Sequence, residues 1–384
     1  MKMKKVISVK GKKIFSEDNQ SFIPKGINMV CKDKSKNYIG DYNESDFRFL
    51  RENGFNLVRL GLIWDGAEPE PGHYDKNYFR RIDKIIEMAA GEKIPVFLDL
   101  HQDLYSSVFE DGAPEWATFT DDQEHVRTEL WSESYLLSPA VQHAFDNFWN
   151  NTRAVDGTGI RTHYIQLLKY LAERYKDNPY VVGLDIMNEP FPGSAGAVAG
   201  EKFAAFMSDG NLEAFSDDKK IAALIKDIYK ITSKFEEEIL NPFYDEAAEL
   251  IRSVDKEIIF MFEANYFANA GVPSVVRPAC YEDGRVIENQ IYVPHGYDIL
   301  VDTEAYSQGG VERVDFIFGN ILRHAEEINV PAIIGEWGCY PNASEGQKEQ
   351  AKYLLNLFKQ HEVGNVYFEY SHLKDNNLSS CLFL

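Results

Sequence analysis

What this chain lacks narrows it first. Its 384 residues contain only four cysteines, Cys31, Cys280, Cys339 and Cys381, and no two of them form a Cys-x-x-Cys pair. That excludes a zinc ribbon and a disulfide-stapled miniature fold; the wide spacing reads as unpaired thiols with no metal framework, with a disulfide left open. Nowhere does an apolar run approach the ~18 residues that a membrane span needs. The first ten residues begin basic but carry no apolar core of leader length. The chain as written therefore reads as cytoplasmic, and as secreted only if a leader has been trimmed away. Positive charge is scarce: 40 Lys and Arg face 61 Asp and Glu, a net charge of −21. A surface of that sign repels phosphate backbones and anionic lipid, so nucleic acid is not an expected partner. Low-complexity tracts and internal repeats are missing too, and nothing in the sequence speaks to oligomeric state.

What is present is an ordinary globular composition, 44% hydrophobic and 26% charged. Residues 1–21 read as a hairpin turning at Gly11. After it, short apolar runs alternate with helical periodicity. Strands are expected at 22–28, 56–62, 95–101, 181–187, 257–263, 289–295, 330–335 and 363–370. Helices are expected at 44–53, 76–90, 163–175, 243–253, 311–327 and 345–359. In 76–90, Phe79, Ile82, Ile85, Ile86 and Ala89 fall on one side. Eight strands separated by helices imply an α/β fold, a (β/α)8 TIM barrel spanning 1–384 as one domain. Two long connections, the Asp/Glu/Trp-rich loop 102–160 and 191–240, Gly/Ala/Ser-rich and then helical, follow strands and so belong on the active face. After the eighth strand only the short tail 371–384 remains, too little for a full last barrel helix.

The strand ends carry the chemistry. Gly183-Leu184-Asp185-Ile186-Met187-Asn188-Glu189-Pro190 is an apolar run that stops in an amide and a carboxylate, with Pro190 forbidding further ladder pairing. Pro331-Ala332-Ile333-Ile334-Gly335-Glu336-Trp337-Gly338 repeats that grammar. Asn28, Arg59, His101 with Asp103, Glu263 with Asn265, and His295 with Tyr297 occupy other strand ends. Two glutamates on two strand ends suit glycosidic bond cleavage: one protonated carboxyl for the leaving oxygen, one carboxylate for the anomeric carbon. Glu189 suits the acid, its proton held partly by repulsion from Glu336. Glu336 suits the nucleophile, kept ionised by Arg59 and oriented by the Tyr297 hydroxyl. Asn188 suits a sugar 2-hydroxyl. A retaining pair requires carboxyl groups ~5–5.5 Å apart.

Plainer roles stand beside these. Arg59 can simply neutralise barrel carboxylates, His295 can be a structural hydrogen-bonder, and Glu263 can be a solvated strand end. A zinc site of His101, Asp103 and His295 lacks a His pair at ligand spacing, so no metal and no cofactor is expected. Trp337 is a candidate sugar platform. Trp64, Trp116, Tyr340, Tyr367 and Phe368 lie near strand ends or the loops that follow, where core and platform are equally open.

These residues carry a resemblance. Asn188-Glu189-Pro190 after the fourth strand and Glu336 after the seventh, with Arg59, His101, His295 and Tyr297 in order, resemble glycoside hydrolase family 5 of clan A. Within it, Gly26–Lys32, His101-Gln102-Asp103, Asp111–Trp116, Asn188–Gly193, Asn241–Tyr244 with Ile251–Asp255, and Pro294–Asp298 resemble the endoglycoceramidases and related glucosylceramidases. The resemblance covers about residues 20–370. It implies a retaining β-glycosidase with Glu189 as acid/base and Glu336 as nucleophile, no metal, and Lys32 and Asp103 on substrate hydroxyls. Three departures stand out. Tyr367-Phe368 replaces the tryptophan that forms the family's sugar platform. The carboxy-terminal β-sandwich is not seen, nor is the last barrel helix. No leader is visible, although these relatives are mostly secreted.

The expected substrate is a carbohydrate or glycolipid, a β-glycoside with a lipid or other apolar aglycone. Phe191, Val198, Phe203 and Phe206 follow Glu189 and are expected to wall the leaving-group side. A β-glucanase or mannanase of the same family is the first alternative, and a non-catalytic carbohydrate-binding barrel is the second.

Overall fold

Every apolar run becomes a strand, each within a few residues of its expected bounds. The computed structural model describes residues 4–208, 218–301, 303–339 and 342–374, apart from the side chains of 203–208, 218–222, 372 and 374. The hairpin is β1 (Ile7–Lys10) and β2 (Lys13–Ser16). The parallel strands are β3 (Lys25–Met29), β4 (Leu57–Ile63), β5 (Val96–His101), β6 (Val181–Asp185), β7 (Ile259–Phe262), β8 (Gln290–Tyr292), β9 (Ile333–Trp337) and β10 (Gly364–Tyr367). Their spatial order is β8-β7-β6-β5-β4-β3-β10-β9. The circle closes between β8 and β9 through parallel bridges at Tyr292–Ala332 and His295–Glu336. There the Gly335 amide donates to the Pro294 carbonyl at 2.8 Å and the Gly296 amide to the Glu336 carbonyl at 3.1 Å. This is a (β/α)8 barrel.

The helices start where their caps allow. Asp75 accepts from the amides of Asn77 and Tyr78 and opens Lys76–Gly91, which buries Phe79, Ile82, Ile85, Ile86 and Ala89. Capping boxes open Glu44–Glu52 at Asn43 and Glu345–Gln360 at Ser344. The first long connection holds a helix that the sequence reading took for loop. Within the connection 102–160, Pro139–Trp149 is helical and buries Val141, Ala144, Phe145 and Phe148. Its apolar spacing has the helical period, but charged and polar flanks disguised it as loop. The second connection forms Ser194–Ser208 and Asp218–Phe235. It then runs through a π-helical turn, Glu236–Leu240, into Asn241–Arg252.

Inside the barrel, side chains two apart along a strand share a face. The lower layer is apolar: Leu57, Phe97, Val182, Ile259, Met261, Ile291, Val293, Ile333 and Val366 pack with Ile7 and Ile14 of the hairpin. The hairpin is held there by Lys5, whose ammonium donates to the carbonyls of Tyr175 at 2.8 Å and Asn178 at 3.0 Å. Two residues further along, Leu57, Phe97 and Met261 give way to buried Arg59, Asp99 and Glu263.

The reading of four unpaired thiols is corrected. Cys31 and Cys280 are free, but Cys339 is disulfide-bonded. Spacing along the sequence does not report distance in space. After β10 a single helical turn, Ser371–Lys374, follows. The rest of the expected tail, Cys381 included, lies outside the described residues.

Candidate active site

Arg59 enters from the middle of β4 and is completely buried. A lone buried guanidinium would be prohibitively costly, so its partners define the site. Its Nε meets Asp185 Oδ2 at 3.0 Å, and its Nη2 meets Asp99 Oδ1 and Glu263 Oε1, each at 3.1 Å. Nη1 donates to Glu336 Oε1 and, at 3.1 Å, to Asn28 Oδ1. Nη2 also donates to Asn188 Oδ1 at 2.9 Å. One cation thus gathers six groups from five other strands or their ends. Among the described residues three groupings lie close enough to share an ion: Asp185, Glu263 and His295; Glu189, His295 and Glu336; and His101, Asp103 and Asp111. The candidate trio His101, Asp103 and His295 is not among them.

Glu336 and Glu189 differ in their surroundings. Glu336 accepts from Arg59 and, at 2.9 Å, from the Tyr297 hydroxyl. Burial works against its charge, but His295 and Arg59 outweigh it and hold the carboxyl below its ordinary range. Glu189 accepts from or donates to His295 Nδ1 at 2.9 Å through Oε1. Burial pushes the Glu189 carboxyl up; His295 opposes, and repulsion from Glu336 and Glu263 adds to the rise. One carboxylate oxygen of each glutamate and a ring nitrogen of His295 lie within 4.8 Å of one another. His295 itself is pulled in two directions: burial disfavours its charge, yet Glu263 and Glu336 raise it well above an ordinary imidazole. Asn188 donates from Nδ2 to the Gln102 carbonyl at 3.0 Å, leaving one amide hydrogen uncommitted.

A second charged group sits beside this one. Lys32 pairs with Asp103 Oδ2. Asp103 is buried, which opposes its charge, but Lys32 and His101 bring it down to about 2. His101 Nδ1 lies 2.8 Å from Asp99 Oδ2. Burial lowers its affinity for the proton, but Asp99 and Asp103 prevail and raise it to about 10. The Phe368 ring stacks on His101 at 6.5 Å between centroids and 15° between planes. The Lys32 ammonium lies 5.5 Å from the Phe368 ring and 5.7 Å from the Trp131 ring.

Trp131, 42% exposed, and Asp111, fully buried, are members of this group that the sequence did not single out as site residues. Asp111 Oδ1 accepts from the Asp103 amide at 3.1 Å. Burial and then Asp103 raise its carboxyl to about 7. Both residues sit in the long connection after β5, and only folding brings them to the strand ends.

Several aromatic candidates are corrected. Trp337 is 1% exposed and packs edge-on against Phe358 and Tyr367, so its face is not open to a sugar. Glu336 points inward, and the next residue of a strand must point outward, onto the helices. Trp64 and Tyr367 are core, and Trp116 is tied to the Glu68 carbonyl. Phe191 is fully buried among Tyr135, Phe145, Tyr266 and Phe267 and does not line a leaving-group wall. Tyr340 and the side chains of Phe203 and Phe206 lie outside the described residues.

The chain is 27% identical over 322 residues to endoglycoceramidase I of Rhodococcus hoagii, covering 82% of this chain and 58% of that protein. Endo-glycoceramidase II from Rhodococcus sp., solved as a ganglioside GM3 complex, matches with a TM-score of 0.75 at 25% identity, over 94% of this chain and 76% of that one. Its lactosyl-enzyme intermediate matches with a TM-score of 0.72 at 26% identity, over 92% and 74%. The chain spans about half the length of the curated relatives it matches. The cellulase model, glycosyl hydrolase family 5, matches residues 15–374, and this chain belongs to that family.

Proposed function

We propose that this protein is a retaining β-glycosidase acting on β-glycosides with a lipid or other apolar aglycone. The observation that carries the reading is a pair of glutamates whose nearest oxygens lie within 4.8 Å and whose proton affinities are driven apart. That closeness suits direct attack by one carboxylate, and not the ~6.5–9.5 Å gap that an inverting enzyme keeps for water. In the first step Glu336 attacks the anomeric carbon while Glu189 gives its proton to the departing oxygen. In the second, Glu189 takes a proton from water, which displaces Glu336. Arg59 and Tyr297 keep Glu336 ionised and aimed. Lys32, Asp103 and His101 meet sugar hydroxyls, Phe368 lies against the ring, and the free Asn188 hydrogen meets the 2-hydroxyl.

The apolar aglycone is supported by the relatives' names and by the rim. Trp131, Leu137 and Val198 are exposed on the two long connections. Segment 134–137 packs against the helix that follows Glu189, with Leu136 pressed on Gly200. Phe191 plays no part in that surface. The test is a panel of one glycosphingolipid, alkyl and sterol glycosides, and cello- and manno-oligosaccharides. The reading expects kcat/KM at least about tenfold higher on the lipid glycosides, a difference of ~1.4 kcal/mol. Equal or better turnover of cello- or manno-oligosaccharides would move the assignment to a glucanase or mannanase. No turnover of any glycoside, with binding retained, would leave a carbohydrate-binding barrel.

A further inference from the structure

Glu263 closes β7 inside the barrel and is 1% exposed. It has no place in the two-carboxylate scheme, yet it touches both ends of it. Its Oε1 lies 3.1 Å from Arg59 Nη2 and 3.2 Å from His295 Nε2, the latter an ion-pair contact. Its Oε2 accepts from the backbone amide of Glu189 at 2.9 Å. That backbone is unusual: Glu189 has φ of 45°, in the left-handed region where a residue with a Cβ sits at a cost of ~1–2 kcal/mol. Such a conformation persists only where its surroundings over-determine it. Gln102 holds the carbonyl side, donating to the carbonyls of Asn188 at 2.9 Å and Glu189 at 3.4 Å. On the amide side, the described contact is Glu263.

We propose that Glu263 is a positioning residue for the acid/base: it pins the Glu189 backbone and orients the His295 ring so that Nδ1 faces Glu189 Oε1. This rests on the reading of Glu189 as the acid/base. Glu263 exchanges no proton. Its carboxylate lies between Arg59 and His295 while the Glu189 proton passes to the leaving oxygen. His295 Nδ1 steadies the charge left behind, and water restores the proton in the second step. Other charged and titratable groups face the trio. Asp185 and the Tyr244 hydroxyl flank Glu263, Glu336 faces both Glu189 and His295, and Tyr297 and Tyr135 face Glu189.

The test is Glu263→Gln, which keeps the shape and an amide-accepting oxygen but removes the charge. kcat/KM is measured on aryl β-glycosides whose leaving groups run from dinitrophenol to alkyl alcohols. A misaligned acid should cost about 10- to 100-fold on alcohols that need a proton and less than about threefold on dinitrophenol, since general acids contribute ~10²–10⁴-fold. Where Glu263→Gln folds poorly by circular dichroism, Glu263→Asp, which keeps charge but loses reach, is read on the same series. An equal loss across all leaving groups, or no loss, overturns the proposal. Glu189→Ala on the same series separates the two claims. If Glu189→Ala itself shows no dependence on leaving group, it is the acid/base assignment that fails, not the role of Glu263.

Discussion

Along three strands the inward positions change character within two residues: Leu57 to Arg59 on β4, Phe97 to Asp99 on β5, and Met261 to Glu263 on β7. The lower layer is aliphatic and aromatic, plugged by Ile7 and Ile14 of the hairpin. The upper layer holds Arg59, His101 and His295 against Asp99, Asp185, Glu263 and Glu336, all buried. The lower layer gains from leaving water, at roughly 25 cal/mol per Å² of apolar area. The upper layer loses by it, because each buried ion costs several kcal/mol that pairing only partly returns. Two layers of one barrel thus carry separate duties, stability below and reactivity above. If that division holds, substitutions in the two layers should fail in different ways.

The largest effect belongs to Glu336→Ala. Turnover should fall by a factor on the order of 10⁴ or more, as for other covalent nucleophiles. Added azide should restore part of it as an α-glycosyl azide. The same variant should melt no lower than the parent, since it removes one of four carboxylates crowded on Arg59. A melting point several degrees lower would break the division. Next is Arg59→Met, which strands four buried carboxylates and should cost ~3–5 kcal/mol in urea denaturation. A neutral result would mean that the upper layer is wetter than its burial indicates.

Below, Ile259→Ala should cost about 2–4 kcal/mol through the cavity it opens, while the folded fraction keeps kcat within about twofold. A large kcat loss there would couple the layers. The smallest effect is a pH slope. Asp111 ordinarily ionises near 3.8 but is raised to about 7 in the fold. The folded state then holds a proton that the unfolded chain has released, so this group's contribution to stability falls as pH rises from 3.8 to about 7. Asp111→Asn should match the parent at pH 4 and exceed it at pH 7 by on the order of 2 kcal/mol. Parallel stability curves for the two proteins would contradict this.

The two glutamates were legible because strand termination and residue type coincide there; Arg59, read as a strand end, lies inside β4, and its charge within an apolar run is what marked it. The alternation of strands and helices was legible for the same reason: period two and period 3.6 are local properties. Trp337 was misjudged although period two already placed it opposite Glu336, on the helix-facing side. Phe191 could not be judged locally, because the rings that bury it come from 135, 145, 266 and 267. Trp131 and Asp111 reach the site from a long connection with no strand register to place them. Glu263 stood open between solvent and function, and only the three-dimensional contact with the Glu189 amide decides between them. The Cys339 disulfide likewise depends on distance in space, which sequence spacing does not report.

The central claim is double displacement at Glu336 with Glu189 as its acid, and the stereochemistry of the first-formed sugar tests it most directly. Any β-glycoside from the panel that turns over is followed by proton NMR from the first minutes, before mutarotation equilibrates the anomers. The account predicts that the β-anomer appears first and the α-anomer only later. An α-anomer formed first would mean a single inverting displacement and would contradict it.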